Sequence, residues 1–197
     1  MTAVDVQPDG RTALEFAAAL DACHDRALPG GVVVSPRGWV IASPDRVPDG
    51  SPLPGGWEEL HAARRGTPST GHWQGVFADA LLGLQRQTLA TLLDAAMRRL
   101  DQRTSDGVNL LNRQLVRGAV ADVALALSEV DDLCDRPGGG VRRRWLSHRR
   151  LVTAGRTMVK LYGASGFAAD GPGRPVHLLE LLGNTYLHPG EGGVGDD

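Results

Sequence analysis

Through the C-terminal two-thirds of the chain, apolar residues return every three or four positions. From Val76 to Arg103 they are Phe77, Leu81, Leu84, Leu89, Leu92, Ala96 and Leu100. Asp79, Gln85, Arg86, Asp94, Arg98 and Arg99 fall between them, which predicts an amphipathic helix. Thr104 to Gly107 interrupts the pattern, and Leu110 to Leu133 resumes it as a second helix. That segment is apolar almost all round (Leu115, Val116, Ala119, Val120, Val123, Leu125, Leu127), which predicts a central helix or one buried by a partner chain. After Pro137 to Gly140 a third helix runs from Val141 to Tyr162 and stops at Gly163-Ala164-Ser165-Gly166. A fourth spans Pro175 to Leu187, with the proline suited to a first helical turn. Four helices joined by short loops predict a mainly α fold, an antiparallel four-helix bundle over residues 72–189.

The pattern before residue 72 is different. Residues 1–10 read as a polar tail. Arg11 to Leu28 has helical spacing through Leu14, Phe16, Ala17, Leu20 and Cys23, and Pro29-Gly30-Gly31 ends it. Val32-Val33-Val34 and Trp39-Val40-Ile41 flank Ser35-Pro36-Arg37-Gly38, which predicts a β-hairpin. Ser43 to Gly71 is rich in Pro and Gly and reads as an irregular wrap, with one turn of helix at Trp57 to Arg64. Residues 1–71 thus form a small appendage that must pack on the bundle to be stable, and residues 190–197 form a disordered tail.

Composition narrows the function classes. The chain has 197 residues, 42% hydrophobic and 22% charged, which suits a globular protein. Its formal net charge of -2 gives no footing for nucleic-acid binding. No apolar run approaches the roughly 20 residues that span a bilayer. The polar N-terminus, with Asp5 and Asp9, does not read as a signal peptide, so the expected compartment is the cytoplasm. Cys23 and Cys134 make neither a metal spacing nor a disulfide framework and read as structural thiols. Lys160 is the only lysine, every other long-chain cation being arginine.

Candidate chemistry is sparse. His24, His61, His72, His148, His177 and His188 are scattered, and none is paired with a carboxylate at metal-ligand spacing, so no metal site is expected. His177 and Glu180 lie three apart on the last helix and either face one pocket or stand as solvated polar positions. Arg142, Arg143, Arg144, His148, Arg149 and Arg150 crowd the start of the third helix around Trp145. Positive charge there opposes the helix dipole. It points either to an anion-binding site, with Arg142, Arg143 and Arg149 as ligands, or to a cationic turn neutralised by Asp131, Asp132 and Asp135.

Two segments carry a family resemblance. Arg103-Thr-Ser-Asp-Gly107-Val-Asn-Leu-Leu-Asn-Arg-Gln114 fits Arg-x-x-Phe-Gly-x-x-(apolar)-x-x-x-Gln, and Lys160-Leu-Tyr-Gly163-Ala-Ser-Gly166-Phe167, followed by Pro172, fits Gln-(apolar)-(aromatic)-Gly-Gly-x-Gly-(aromatic). In order and separation these resemble the C-terminal helical domain of the acyl-CoA dehydrogenase family, over roughly His72 to His188. The resemblance implies that Arg103, Gln114, Lys160, Gly163 and Gly166 lie where the family holds the ADP part of FAD, and that bundles pair into a homodimer or homotetramer. The family's preceding helical and β-barrel domains have no counterpart here. Asp106 replaces the phenylalanine of the first motif, Leu187 falls at the usual catalytic glutamate, and Leu178-Leu179 fall at the family's Arg-Asp pair.

Three functions follow as expectations. The first is a truncated dehydrogenase-like subunit of a flavin-dependent acyl-thioester oxidoreductase, with FAD bound only when a partner chain supplies the barrel and the base. The second is a flavin-free enzyme of dehydratase, cyclase or isomerase type acting on a small-molecule or CoA- or carrier-bound substrate. Its candidate acids and bases are Asp79, Asp106, His177, Glu180, Tyr186 and His188. The third is a non-catalytic binding or scaffold subunit.

Overall fold

A computed structural model describes residues 13–135 and 140–189. The expected terminal tails, Arg11 and the Pro137-to-Gly139 part of the break lie outside them. Five helices and a small antiparallel sheet make the fold, in the order α1 (Ala13–Ala27), β1 (Trp39–Ala42), β2 (Ser51–Leu53), β3 (Trp57–Arg64), α2 (His72–Asp101), β4 (Thr104–Ser105), β5 (Val108–Asn109), α3 (Gln114–Asp135), α4 (Gly140–Leu161) and α5 (Gly173–Tyr186). Short 3-10 turns at Leu110–Asn112 and Gly163–Phe167 lead out of the α2–α3 and α4–α5 connections.

Cross-helix bonds report the direction of each helix. Arg144 pairs with Asp79, His148 meets Gln85, and the Tyr162 hydroxyl donates to the Leu92 carbonyl at 2.6 Å, so α2 and α4 run parallel. Arg86–Asp131 and Arg150–Glu129 set α3 antiparallel to both. Arg156–Glu180 and His148–Asn184 set α5 antiparallel to α4. The α2–α3 and α4–α5 connections therefore share one end of the bundle.

The central helix is α2, not the more apolar α3. At 30 residues α2 is about 45 Å long, and it packs against all four other helices. One stripe of α3 is buried, Val123, Ala126, Leu127 and Val130, whereas Leu115 is 88% and Leu125 is 55% exposed. Its other apolar side chains near the N-terminus are short, and Val116, Ala119 and Val120 are half-buried.

The N-terminal segment departs most from expectation. Val32 to Val34 is not a strand, and the segment expected to hold a turn of helix at Trp57 to Arg64 is the central strand of a β1-β3-β2 sheet. Tertiary partners explain both. The Val33 amide donates to His24 Nδ1 and the Val34 amide to Ser69 Oγ, leaving β1 to pair with β3 in the register Trp39↔Arg64 to Ala42↔His61. Trp57, Leu60 and Ala63 are buried, and Trp57 meets Phe16 of α1 edge-on at 5.3 Å. Helix α1 packs on both the sheet and α2. Phe16, Leu20, Val33, Ile41 and Leu60 share one hydrophobic core with Phe77, Leu81 and Tyr186, so the appendage is fused to the bundle.

The break at Thr104 to Gly107 is a two-stranded β4–β5 ribbon. Asp106 (φ 54°) and Gly107 (φ 74°) form its turn, both in the left-handed region as a tight hairpin turn requires. Cys23 is buried, Cys134 is exposed at the end of α3, and neither is in a disulfide. No described helix is long and apolar enough to cross a membrane.

Candidate functional site

An open groove of about 620 Å³ lies between the C-terminal part of α4, the 163–167 turn and the start of α5. The turn is folded tightly against α4: a Cβ on Gly166 would sit 2.4 Å from the Val159 carbonyl oxygen, so only glycine permits this approach. Ser165 Oγ donates to the Tyr162 carbonyl and holds the turn from within. Val159, Val176, Ala168, Ala169 and Phe167 supply a mainly apolar lining, with Phe167 73% exposed at the wall.

The polar groups on this groove are mostly nitrogen donors: Arg156, Lys160, Arg174 and His177. The one carboxylate is Glu180, held by Arg156 with Nη2–Oε1 at 2.5 Å and Nε–Oε2 at 3.3 Å. Arg174 lies with its guanidinium carbon 4.4 Å over the Trp57 ring, so a residue of β3 helps to set a residue of α5. Among the described residues neither Lys160 nor Arg174 makes an ion pair, and Arg174 Nε is a buried donor with no partner.

The groove thus joins four residues singled out in the sequence: His177 and Glu180 as candidate acid and base, and Lys160 and Gly166 from the second motif. Arg103, Gln114 and Gly163 are exposed on the connections at the same end of the bundle, outside the groove lining. Arg103 alone among them carries a positive charge that suits a pyrophosphate, and among the described residues no strand lines the groove. Asp106 sits in the β-ribbon turn and pairs with Arg113 at 3.2 Å.

The remaining candidates are spread elsewhere. Asp79 is gripped by Arg144 at 2.7 and 2.8 Å, far along the bundle from the groove. Tyr186 is 3% exposed and its hydroxyl bonds to the Ile41 backbone, with burial pushing the phenol pKa up. It is a core residue and no surface acid. His188 packs against Trp145 at 4.8 Å. Leu178, Leu179 and Leu187 are all buried, so the positions matching the family's Arg-Asp pair and glutamate belong to the core.

The arginine cluster of α4 fans around the helix. Arg144 reaches Asp79, Arg150 reaches Glu129, Arg149 lies 5.8 Å from the Trp145 ring centre, and His148 points into the core. Arg142 is exposed and Arg143 half-buried. Asp131, expected to neutralise this cluster, pairs with Arg86 of α2 instead.

Sequence reasoning missed three features. Arg174 carries a signal only in hindsight, as the one cation in the first turn of α5. A chain of bonds runs from Leu179 O through buried Gln85 and His148 to exposed Asn184 at 3.0, 3.1 and 3.3 Å, and burial lowers the His148 pKa. His24 is fully buried, accepts from Val33, meets Ile41 O at 2.9 Å and stacks on Phe77. Nothing in helical spacing separates these two imidazoles from a leucine.

No protein-family profile, curated protein or solved structure matches this chain. Among the described residues no three His, Cys, Asp or Glu side chains gather as a metal site.

Proposed function

We propose that this protein binds a small amphipathic molecule, an apolar body with an anionic head, in the groove between α4 and α5. The observation that carries this is the pairing of an apolar lining with Lys160 and Arg174, two cations without carboxylate partners. Ligand sites are typically concave, mostly apolar and roughly 300–1,000 Å³, with a few polar groups to fix orientation. His177 also lines the groove and offers a proton acceptor beside any bound molecule. Acid–base chemistry on the ligand is therefore open to this site, while Glu180 is engaged by Arg156.

The test is calorimetric titration of the purified chain with fatty carboxylates and an acyl-CoA thioester. Binding that disappears in Phe167→Asp, a change at an exposed wall position, supports the groove. Binding unaffected by that change rejects it.

A second reading is a subunit of a flavin-dependent acyl-thioester oxidoreductase. What favours it is the gathering of Arg103, Gln114, Lys160, Gly163 and Gly166 at one end of the bundle. Bound FAD would supply the redox chemistry, Arg103 and Lys160 would hold its phosphates, and a partner chain would supply the barrel and the base. This reading requires that the chain alone not retain FAD on a sizing column and that it retain FAD with a co-encoded barrel subunit.

A further inference from the structure

We propose, on the reading of the groove as a ligand site, that Arg174 anchors the ligand and that the head group it takes is a carboxylate on an aliphatic tail. Three observations converge on this class.

The first is the presentation of the guanidinium. Its central carbon lies 4.4 Å over the centre of the Trp57 ring. The indole holds the guanidinium in place and Nε is buried, which leaves the terminal Nη groups as the donors of a planar fork. A fork of that shape matches the two oxygens of a planar carboxylate, whereas an ammonium offers only a point charge. Gly56 lets the side chain lie there, since a Cβ on it would come within 2.6 Å of Arg174 Nη2.

The second is the charge count. Arg156 and Glu180 cancel each other on one wall, which leaves Lys160 and Arg174 as the uncompensated charges. The Glu180 carboxylate on the same groove disfavours a dianion more than a monoanion. A carboxylate satisfies one fork with Lys160 as a second contact.

The third is the lining. Val159, Val176, Phe167, Ala168 and Ala169 offer side chains with no hydrogen-bonding groups. Sugar hydroxyls or a nucleobase would lose their water there without replacement, at a cost for each unpaired polar group. An alkyl chain loses nothing and gains contact with Phe167, an aromatic ring otherwise left in water.

This makes the N-terminal segment part of the site. Trp57, on a strand outside the bundle, sets the orientation of the anchoring arginine on α5.

The experiment is calorimetric titration with decanoate, decyl phosphate and decanol, on the parent chain and on Arg174→Gln, Arg174→Lys and Lys160→Gln. Unchanged unfolding transitions establish that each variant is folded, and exposed Lys160 guards against loss of Arg174 variants to misfolding. The expected result is decanoate at least tenfold tighter than decanol. That advantage vanishes in Arg174→Gln, is mostly lost in Arg174→Lys, and is reduced less in Lys160→Gln. Decanol binding as well as decanoate overturns the anchored head group and leaves the groove standing. Decyl phosphate binding more tightly than decanoate overturns the carboxylate. Full retention by Arg174→Lys overturns the fork. If none of the three binds, the groove reading falls and this inference falls with it.

Discussion

The hydroxyl of Tyr186 accepts the backbone N–H of Ile41 at 2.7 Å, tying the last helix to the first strand across 145 residues. The same oxygen lies 3.3 Å from the Ile41 carbonyl. One phenol therefore meets both backbone polar groups of a single residue, packed beside His24 and Phe77, and His24 Nε2 shares the Ile41 carbonyl at 2.9 Å. Tyr186→Phe removes the hydroxyl and keeps the ring. Leaving a buried backbone group unmet costs about 1–3 kcal/mol. Urea unfolding is expected to show a loss of that size while decanoate affinity stays at the parent value. A neutral result would mean that the Ile41 amide finds another partner.

Gly183 faces His148 so closely that a Cβ there would lie 2.1 Å from the imidazole Cε1 and 2.7 Å from Gln85 Nε2. Gly183→Ala must displace the ring and break its bonds to Gln85 and Asn184. Overpacking of this kind costs roughly 1–3 kcal/mol, and the stranded polar groups add to it. The informative comparison is the double variant with His148→Ala, which removes the nearer obstacle and leaves only the end of the Gln85 side chain to shift. The two changes are expected to be strongly non-additive, with most of the Gly183→Ala cost gone when His148 is already alanine.

His24 sets a pH window. Burial lowers its pKa from 6.5 to about 4, outweighing the opposite pull of the Ile41 hydrogen bond and of Asp21 and Asp25, with Arg46 adding slightly to the depression. Between those values the unfolded chain binds a proton that the folded chain does not, so stability is complete above about pH 6.5 and falls as pH drops toward 4. The span corresponds to about 3 kcal/mol. Burial depresses His148 too, with the same sign. Melting temperature measured in steps across this range is expected to fall steeply. His24→Gln should start lower and show a shallower slope, and an unchanged slope would place the acid sensitivity elsewhere.

The exposed side of α3 gives a control against general fragility. Leu115→Ser, at a residue 88% exposed, is expected to alter the unfolding free energy by no more than about 0.5 kcal/mol. Leu92→Ala, at a fully buried position of α2, should cost about 2–5 kcal/mol. Sedimentation of the Leu115 variant also reads association: a drop in mass relative to the parent would mean that this face joins copies of the chain.

Helices were legible because three-to-four spacing is a local property. The expectation of Val141 to Tyr162 compares with α4 at Gly140–Leu161, and Pro175 to Leu187 with α5 at Gly173–Tyr186. Of the three-stranded sheet only β1 was legible, as Trp39-Val40-Ile41, because the rest is decided by distant groups. Val33 is diverted from a ladder by His24, and β3 is recruited by β1 across the Pro-rich segment. Half of the groove could be read from the pair His177 and Glu180 and from the glycine turn. The other half depends on Arg174 meeting Trp57, 117 positions earlier, and no periodicity encodes that meeting.

An arginine-rich composition has a practical consequence at Lys160. Apart from the α-amino terminus, its ε-ammonium is the only alkyl amine in the chain, and it stands on the wall of the groove. Acylating or reductively alkylating reagents, which consume amines and spare guanidinium, should therefore mark the groove at a single atom without any engineered cysteine. A labelled protein would carry its reporter beside the bound molecule, and the rate of labelling would itself count empty grooves.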